Sequence, residues 1–408
     1  MESPARVLLG VSGGIAAYKS CLLLRLLTEA GHEARVAMTR HAAHFVGPLT
    51  FSTLSGHPVA VDPFAEGSAA GAGGGQAAGH IDLSAWAEHL IVAPATANIL
   101  GKAAQGIADD FLSTTICAFD KPILFAPAMN HRMWANPAVC RNVEHLRRDG
   151  HAFAEPDSGW LACGETGAGR MAEPARILET FDWLRLRSSE LAGRRVVVSA
   201  GPTIEDLDEV RFLANHSSGR MGFALARAAQ RMGAETRLVT GPVALETPLG
   251  VCRVDVRSAA QMARAMAEET VAADLVVMCA AVADYAPEAL PGKRKKDGAD
   301  WILPLRPTGD ILAALAALPG RERRVHVGFA LEVEHGAANA LDKLRRKDLD
   351  LICLNNPRDE GAGFGAESNR VTILDRAGAA RELPLLSKDE AAREILRTAT
   401  RLLPEPCK

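Results

Sequence analysis

The chain has 408 residues, enough for two or three domains, and 48% of them are hydrophobic. Its formal net charge is −3, so it lacks the positive balance of proteins that bind nucleic acids or anionic membranes. Aromatic residues make up only 5% of the chain, too few for the stacking platforms that bind single-stranded nucleic acid.

The eight cysteines are scattered and form no Cys-x-x-Cys pair. This pattern favours reduced thiols in the cytoplasm over a disulfide framework or a zinc site. No signal peptide precedes the first predicted strand, and charged residues such as Arg25 interrupt the longest apolar tracts. The sequence therefore predicts a cytoplasmic protein without a membrane span.

The first half opens with a βαβ unit. Val7–Val11 predicts a buried strand, Ile15–Ala30 a helix and Ala34–Met38 the next strand. Ser12-Gly13-Gly14 opens the helix, where backbone N–H groups and the helix dipole favour a phosphate. The turn is not Gly-x-Gly-x-x-Gly, and Thr39-Arg40 stands where an NAD site carries an acidic residue. A mononucleotide phosphate fits this pattern, and a tight turn without a ligand is the alternative.

Two further strands of the first half end in loops of small and polar residues. Residues 65–79 predict a flexible Gly/Ala insertion. Beyond it, buried strands at Glu88–Ala93 and Ile123–Ala126 run into small-residue loops that let a flat ring approach the backbone. Asn98 and Asn130, in these loops, could bond ring edges or a substrate carboxylate, although a loop Asn is more often only a turn residue.

Residues 155–171 are Gly-rich and lack periodicity, which predicts a long functional loop. Cys163 lies in this polar loop, so an acid on a mobile flap competes with the usual small buried thiol. His80 follows the Gly/Ala insertion, and a lone His is more often a surface or capping residue. Leu184–Arg195 predicts the linker between two domains.

A second α/β unit begins at Arg194–Gly222. Val196–Val198 predicts a buried strand, Ser199–Thr203 a turn of phosphate-loop character, and Asn215–Gly219 the cap of a helix that begins near Arg220. A strand, a polar turn and a helix N-terminus together form an anion site.

The same strand–helix rhythm continues to the end of the chain. Further strands are predicted near 235–240, 251–256, 274–280, 324–329 and 350–354, helices near 219–231, 258–272, 309–318 and 336–347, a hairpin over Val371–Leu374 and Arg381–Leu385, and a closing helix over Lys388–Leu403. Both halves are therefore predicted to be doubly wound α/β domains in tandem, with ligands beyond the carboxyl ends of the strands.

Basic residues cluster at Lys293–Lys296 and at Lys343–Lys347. A solvated face is the ordinary interpretation of such runs. The first run follows Asp284-Tyr285 at a predicted strand end, where an α/β sheet would present cations to a triphosphate.

Together these motifs closely resemble the bifunctional coenzyme A biosynthesis proteins of bacteria, in which phosphopantothenoylcysteine decarboxylase is fused to phosphopantothenate–cysteine ligase. The resemblance covers Gly10 to about Leu402. The motifs that carry it are Ser-Gly-Gly-Ile-Ala-Ala-Tyr-Lys (12–19), Ala-Pro-Ala-Thr-Ala-Asn (93–98), Pro-Ala-Met-Asn (127–130), Ala-Cys-Gly-Glu-Thr-Gly-Ala-Gly-Arg-Met (162–171), Ala-Gly-Pro-Thr (200–203), Asn-His-Ser-Ser-Gly (215–219) and Ala-Ala-Val-Ala-Asp-Tyr (280–285).

The resemblance implies an FMN-dependent decarboxylase domain in residues 1–188. In the family, FMN oxidises the thiol-bearing carbon to a thioaldehyde, the electron sink for loss of CO₂, and the resulting enethiol is then reduced. His80 matches the base, Asn130 the residue that grips the substrate carboxylate, and Cys163 the acid that protonates the enethiol. The implied FMN contacts are Ser12, Gly13, Gly14, Thr39, Pro94, Ala95, Thr96, Asn98 and Ser113.

The resemblance also implies a CTP-dependent ligase domain in residues 189–408. In the family, 4'-phosphopantothenate becomes an acyl-cytidylate as pyrophosphate leaves, cysteine then attacks, and Mg²⁺ bridges the phosphates. Asn215 matches the residue that holds the acyl-cytidylate and Lys293 the lysine needed to form it, whereas Gly309 replaces a usual proline. The implied CTP contacts are Met278, Cys279, Ala280, Asp284, Lys293, Thr308, Gly309, Asp310, Ile311, Phe329, Lys343 and Lys347; no residue is assigned to Mg²⁺.

By the same resemblance the chain is a homo-oligomer, with decarboxylase halves in trimers or multiples that share flavin sites and ligase halves in dimers. A flavin-binding regulatory protein of the same fold, without catalysis, is the alternative, and the full set of matching residues disfavours it. A flavin decarboxylase of peptide C-terminal cysteines is a second alternative, against which the attached ligase half argues.

Overall fold

The computed structural model describes residues 4–61, 79–160, 166–296, 298, 300–331, 336–355 and 368–404. The contacts within the chain divide it into two compact units, Glu2–Arg185 and Leu186–Lys408. Within the described ranges, every helix is too short or too polar to cross a bilayer.

The first unit alternates strands and helices. Its strands are β1 (Arg6–Val11), β2 (Glu33–Met38), β3 (Val59–Ala60), β4 (His89–Ala95), β5 (Ile123–Pro127), β6 (Ala152–Phe153), β7 (Asp157–Trp160) and β8 (Thr166–Arg170). Its helices are α1 (Ala17–Glu29), α2 (Pro48–Ser55), α3 (His80–Trp86), α4 (Ala97–Gln105), α5 (Phe111–Ala118), α6 (His131–Trp134), α7 (Pro137–Arg148) and α8 (Pro174–Leu186), the last of which reaches into the linker.

Six strands of this unit form a parallel sheet in the order β3-β2-β1-β4-β5-β6. Alternate residues of β1 enter two different apolar cores, because Leu9 and Val11 face one layer of helices and Leu8 faces the other. The strand order reverses between β1 and β4, so a crevice for a ligand lies at the carboxyl ends of these two strands.

The second unit has the same layered organisation. Its strands are β9 (Arg195–Ala200), β10 (Ile204–Asp206), β11 (Phe212–Ala214), β12 (Glu235–Thr240), β13 (Cys252–Asp255), β14 (Leu275–Met278), β15 (Tyr285–Pro287), β16 (Leu305–Pro307), β17 (Val325–Leu331), β18 (Leu351–Asn355), β19 (Ser368–Asn369), β20 (Val371–Asp375), β21 (Ala380–Glu382) and β22 (Leu386–Ser387). Its helices are α9 (Arg220–Arg231), α10 (Ala259–Thr270), α11 (Ile311–Ala316), α12 (Gly336–Arg346) and α13 (Lys388–Thr400).

Eight of these strands form one sheet in the order β13-β12-β9-β14-β17-β18-β20-β21. The strands from β13 to β18 pair in parallel, and β20 and β21 add an antiparallel edge. The prediction of two tandem α/β domains with parallel sheets is confirmed.

Two local predictions were wrong, and two small elements were missed. Residues 155–171 are not an irregular loop throughout, because β7 and β8 within them form an antiparallel pair. The start of the predicted linker is helical as far as Leu186, where α8 ends. Two antiparallel ribbons, β10–β11 and β15–β16, were not predicted, since their strands are three residues long and carry no clear alternation of polar and apolar residues.

The second unit buries one histidine that should make its stability depend on pH. His326, on β17, is 1% exposed, and neither of its ring nitrogens has a hydrogen-bond partner among the described residues. Burial, reinforced by the Arg321 guanidinium, lowers the pKa of His326 from 6.5 to about 4. The folded chain therefore favours the neutral imidazole of His326.

We therefore expect the free energy of unfolding to fall as the pH drops from 6.5 towards 4. In this window His326 becomes protonated in the unfolded chain but stays neutral in the folded chain. The resulting loss in the free energy of unfolding is limited to roughly 3 kcal/mol. Calorimetry of the full chain at several pH values would measure the slope. His326→Leu should flatten it, and an unchanged slope in that variant would assign the pH dependence to other groups.

Candidate functional site

A cavity of about 1060 Å³ lies at the crevice of the first unit. Loops after four strands of the sheet line it, together with the end of β8. The predicted site residues that it brings together are Ser12, Gly13, Gly14, Thr39, Thr96, Asn98 and Asn130. The polar members of this set offer hydroxyl and amide groups, and larger side chains such as Ile15, Tyr18 and Phe45 complete the lining.

Ser12 joins the two strands between which the strand order reverses. Its Oγ donates to the carbonyl oxygen of Pro94 at 2.7 Å and accepts from the Thr96 N–H at 3.1 Å. This pair of bonds fixes the loop after β1 against the loop after β4. Pro94 and Ala95 are the last two residues of β4. Both are buried, and neither side chain lines the cavity.

The loop from Ser12 to Gly14 is closely packed, and this explains a glycine in its sequence. A Cβ on Gly13 would lie 2.5 Å from the Cβ of His41, so no larger residue fits without moving the loop after β2. No side chain caps the N-terminus of α1, which follows. Ala17 N and Lys19 N in this first turn donate to the carbonyl oxygens of Gly14 and Ala16 at 3.0 and 2.9 Å, so an anion would bond the remaining N–H groups.

Lys19 is a cavity residue that the sequence interpretation missed. It is 6% exposed, and its Nζ donates to the carbonyl oxygen of Met171 and to Glu173 Oε1, both at 3.0 Å. Glu173 also accepts from Arg170. Hydrogen bonds from Arg170 and then Lys19 lower the pKa of Glu173. A signal existed, because Lys19 lies among the apolar residues of the buried face of α1.

The end of β8 is docked against the loop that carries Asn130. Met129 N donates to the carbonyl oxygen of Gly169 at 2.9 Å, and a Cβ on Gly169, whose φ is +141°, would lie 2.3 Å from the Met129 carbonyl oxygen. Asn130 caps α6, and its Oδ1 accepts from Arg132 N at 2.8 Å, which orients its amide. Cys163, between β7 and β8 in sequence, lies outside the described residues.

Besides Pro94 and Ala95, two further predicted residues of the first unit lie outside the cavity lining. His80 begins α3, is half-buried, and meets the Phe111 ring edge-on with centroids 6.4 Å apart. Ser113 is buried in the first turn of α5, where its Oγ accepts from Asp110 N at 3.0 Å as part of a capping box.

Asp110 itself lines the cavity, and Lys102, which does not line it, compensates the negative charge of Asp110. Lys102 Nζ lies 2.6 Å from carboxylate oxygens of both Asp110 and Asp109. Burial acts to lower the pKa of Lys102, but the hydrogen bonds to the two carboxylates outweigh it and the pKa is raised. The cation therefore reduces the repulsion that Asp110 would otherwise exert on an anion.

In the second unit, Ser199 organises the carboxyl ends of the central strands. It is fully buried at the end of β9, and its Oγ accepts from Cys279 N and Ala280 N, both at 3.1 Å, and contacts Met278 Sδ at 3.5 Å. Burial raises the pKa of the Cys279 thiol to about 12. Cys279 is therefore a packing group at neutral pH, not a nucleophile.

Asn215 ties the end of the β10–β11 ribbon to the loop after β14. Its Nδ2 donates to the carbonyl oxygens of Ala281 and Val282, both at 3.2 Å. The ribbon separates the turn after β9 from α9, whose N-cap is Gly219 with φ +76° and no side-chain hydrogen bond. The sequence predicted that Asn215–Gly219 caps a helix that begins near Arg220, and the structure places the cap at Gly219, the last residue of that segment.

Thr308 fixes the next loop of the predicted CTP site. Its Oγ1 donates to the Ala283 carbonyl oxygen at 2.6 Å and its N–H to the Asp284 carbonyl oxygen at 2.9 Å. Asp310 caps α11 by accepting from Ala313 N at 3.1 Å, directly before the buried Ile311. A Cβ on Gly309 would meet no atom within 4 Å, so the cap forms without the family's proline and without a strained glycine.

Two lysines of the second basic run approach the same edge. Lys343 Nζ donates to the Phe329 carbonyl oxygen at 2.8 Å, and Lys347 forms an ion pair with Asp310. Lys293 is exposed in the segment after β15. A separate cavity of about 600 Å³ is lined by Thr308 and Gly309 with Glu205, Ala259 and Arg306, among others.

Comparisons with known proteins cover both units. The chain matches the family described as flavoprotein over residues 1–185 and the family described as DNA/pantothenate metabolism flavoprotein C-terminal domain over residues 191–402. It is 45% identical to the coenzyme A biosynthesis bifunctional protein CoaBC of Bacillus subtilis over 401 residues, which cover 97% of each chain. It is 42% identical to the protein of the same name from Vibrio cholerae over 400 residues, 96% of each.

Among solved structures, the C-terminal domain of a coenzyme A biosynthesis bifunctional protein CoaBC covers 53% of this chain and 98% of its own, at 38% identity and a TM-score of 0.46. The family matches define the chain as a two-domain flavoprotein enzyme. It belongs to the family of bifunctional coenzyme A biosynthesis proteins and has decarboxylase and ligase activities. The resemblance predicted from the sequence motifs is confirmed.

Proposed function

We propose that residues 1–188 catalyse the FMN-dependent decarboxylation of 4'-phosphopantothenoylcysteine and that residues 189–408 catalyse the CTP-dependent ligation of cysteine to 4'-phosphopantothenate. The cavity of about 1060 Å³ at the strand-order reversal of the first unit is the observation that supports the decarboxylase assignment. The ligase forms the substrate that the decarboxylase consumes, so the two reactions follow one another on one chain.

The cavity fits FMN by its donor set. Hydroxyl groups of Thr39 and Thr96 and the uncapped N-terminus of α1 suit a phosphate monoester, Ser12 fixes the loop beside them, and Gly13 and Gly14 let the phosphate approach the backbone. Asn98 offers an amide to a ring edge. When bound, the flavin supplies the two-electron chemistry that makes loss of CO₂ feasible.

The chain's own residues would move the protons. We assign His80 as the base that takes a proton from the substrate, Asn130 as the amide that holds the substrate carboxylate, and Cys163 as the acid that returns a proton after CO₂ has left. The contact of β8 with Met129 and Asn130 supports this assignment. β8 follows Cys163 in sequence, and the contact holds this strand beside Asn130, the residue assigned to the substrate carboxylate.

The first unit is proposed to work as a homotrimer or a multiple of one. His80 lies outside the cavity lining of its own chain, so a cavity of a neighbouring copy is a place where it could act. Large apolar residues also line the cavity while exposed, with Ile15 at 63%, Tyr18 at 55% and Phe45 at 50%. Burial of these side chains by a second copy would favour association.

For the ligase we propose that CTP binds beyond β14 and β17. The edge offers small residues at Cys279 and Ala280 and the cations Lys343 and Lys347, which suits a nucleotide triphosphate. The described residues include no group of three His, Cys, Asp or Glu that could hold a metal. We propose that Mg²⁺ enters with the phosphates of CTP, because this ion keeps several waters and binds mainly through substrate phosphates and one or two carboxylates.

In this scheme Lys293 stabilises the charge that develops as the acyl-cytidylate forms, and Asn215 holds that intermediate while cysteine attacks. We propose that the ligase half forms dimers, because apolar residues on and near its two ribbons are exposed and a second copy could bury them. Phe212 is 51%, Tyr285 55% and Ile302 87% exposed. Six free cysteines among the described residues are in keeping with a reducing, cytoplasmic location.

Cutting the chain between Arg187 and Ser188 tests the domain assignment. This site keeps the hydrogen bond from Ser188 N to the Arg231 carbonyl oxygen within the second fragment. We expect a yellow fragment that decarboxylates 4'-phosphopantothenoylcysteine and a colourless one that makes it from 4'-phosphopantothenate, cysteine and CTP. Flavin that remains with the second fragment, or ligation by the first, would contradict the assignment.

A further inference from the structure

The segment that carries Lys293 is held on both sides of this residue by the turn between β10 and β11. Leu290 N donates to the Leu207 carbonyl oxygen at 3.0 Å, and Gly292 N donates to Glu209 Oε1 at 3.2 Å. The exposed lysine therefore extends from a backbone whose path is set by a neighbouring turn.

On the other side of Lys293, the main contact is a buried carboxylate. Asp208 Oδ2 accepts from Arg294 N at 3.3 Å and from Arg211 Nε at 3.0 Å and Nη2 at 2.5 Å. Arg211 Nη2 also donates to the Arg294 carbonyl oxygen at 2.7 Å. The Asp208 side chain is 0% exposed, and the hydrogen bonds from Arg211, ahead of those from backbone N–H groups, hold its pKa well below the usual range.

An aromatic ring reinforces this arrangement. The guanidinium carbons of Arg211 and Arg294 lie 4.8 Å and 4.9 Å from the centroid of the Trp301 ring. Both distances are within the range of cation–π attraction. Arg294 is therefore not the solvated neighbour that a run of basic residues predicts.

The two oxygens of Asp208 have different tasks. Oδ1 accepts from Val210 N and Arg211 N, both at 2.8 Å, which is the local bonding by which an Asp stabilises its own turn. Oδ2 bonds only groups of Arg211 and Arg294 among those described. Stabilising the turn requires Oδ1 alone, so the bond to Arg294 calls for a further explanation.

We propose that Asp208 is a positioning residue for Lys293 in formation of the acyl-cytidylate. The inference rests on the role proposed for Lys293 in the ligation. A lysine ammonium on a flexible four-carbon stem is a poor catalyst unless its backbone is fixed, since a misplacement of about 1 Å can cost up to a hundredfold in rate. Asp208 and Arg211 provide that fixed point at the residue next to Lys293.

Asp208→Asn separates the two tasks. The amide oxygen keeps the bonds to Val210 N and Arg211 N, whereas the amide nitrogen in place of Oδ2 cannot accept from Arg211 or Arg294. Asp206→Asn is the matched control, because Asp206 lies on β10 and forms an exposed ion pair with Arg257 instead. The assay is pyrophosphate release by the full-length protein from CTP and 4'-phosphopantothenate without cysteine.

We expect Asp208→Asn to lower the rate constant for the single-turnover burst of pyrophosphate by about ten- to a hundredfold, while the CTP concentration that gives half the maximal rate changes little, and Asp206→Asn to leave both unchanged. The double variant with Lys293→Gln should be no slower than Lys293→Gln alone, because residues that act through one another are not additive. Trypsin should also cleave after Lys293–Lys296 faster in Asp208→Asn than in the native protein.

The outcomes separate this inference from the function on which it rests. If the native protein releases no pyrophosphate, or Lys293→Gln is as fast as the native protein, the proposed ligase role of Lys293 fails and the inference with it. If Lys293→Gln is slow but Asp208→Asn is fast, or their effects add, only the role of Asp208 is contradicted. Should Asp208→Asn not fold, Trp301→Leu loosens the same segment, and an unchanged rate there would likewise contradict it.

Discussion

Lys293→Gln is expected to lower the rate of acyl-cytidylate formation by about a hundredfold or more, the scale for removing one group that stabilises transition-state charge. Glutamine keeps much of the length of lysine but carries no charge to place near the phosphorus as pyrophosphate leaves. The attack of cysteine on a preformed acyl-cytidylate should change little. Pyrophosphate release without cysteine measures the first step, and amide formation from added acyl-cytidylate measures the second.

The control for this experiment must come from the exposed part of the same basic run. Arg294 is unsuitable, because its backbone bonds Asp208 and its guanidinium lies over Trp301. Lys296 is exposed, and Lys296→Gln removes the same charge three positions away. Equal losses in Lys293→Gln and Lys296→Gln would show that the run acts as a diffuse positive charge, and the specific role of Lys293 would be wrong.

The sequence predicted the framework well where one physical rule dominates. Runs such as Val196–Val198 are buried on both faces of a parallel sheet, so they lack polar residues and stand out. Strands that alternate with helices along the chain form a parallel sheet. In a parallel sheet the carboxyl ends of β1 and β4 lie at the same edge, where Ser12 and Thr96 meet. Ser12 and Thr96 are 84 positions apart in sequence, yet topology alone brings them to one place.

The parts that could not be predicted depend on contacts between distant residues. The position of Lys19 on the apolar face of α1 indicates burial, but its partners, Glu173 and the Met171 carbonyl oxygen, are more than 150 positions away in sequence. The glycines of β8 resemble those of a flexible loop until Gly169 is seen to lie against Met129. Arg294 looks like its lysine neighbours in sequence, and only Trp301 and Asp208 distinguish it.

Cys163→Ser is expected to stop the decarboxylase after CO₂ has left. If Cys163 is the acid that protonates the enethiol, serine keeps the shape but raises the pKa of the acid by several units, so this late proton transfer fails. At single turnover the variant should still bleach the flavin absorbance and release about one CO₂ per site. It should then accumulate the unsaturated thiol product as oxygen restores the flavin colour. Cys117→Ser, at an exposed thiol on α5, is the matched control and should complete the reaction.

His80→Asn should block the first step of the same reaction, the oxidation that precedes loss of CO₂. Asparagine removes the imidazole, which is the group assigned to take the proton, and keeps a polar side chain in its place. We expect no bleaching and no CO₂, with the bound flavin still present, since His80 is assigned to the proton transfer and not to the FMN contacts. Flavin content, absorbance and CO₂ from one turnover of each variant distinguish the two roles. If Cys163→Ser also fails to bleach the flavin, Cys163 acts before decarboxylation or only shapes the site, because a late acid cannot prevent an earlier oxidation.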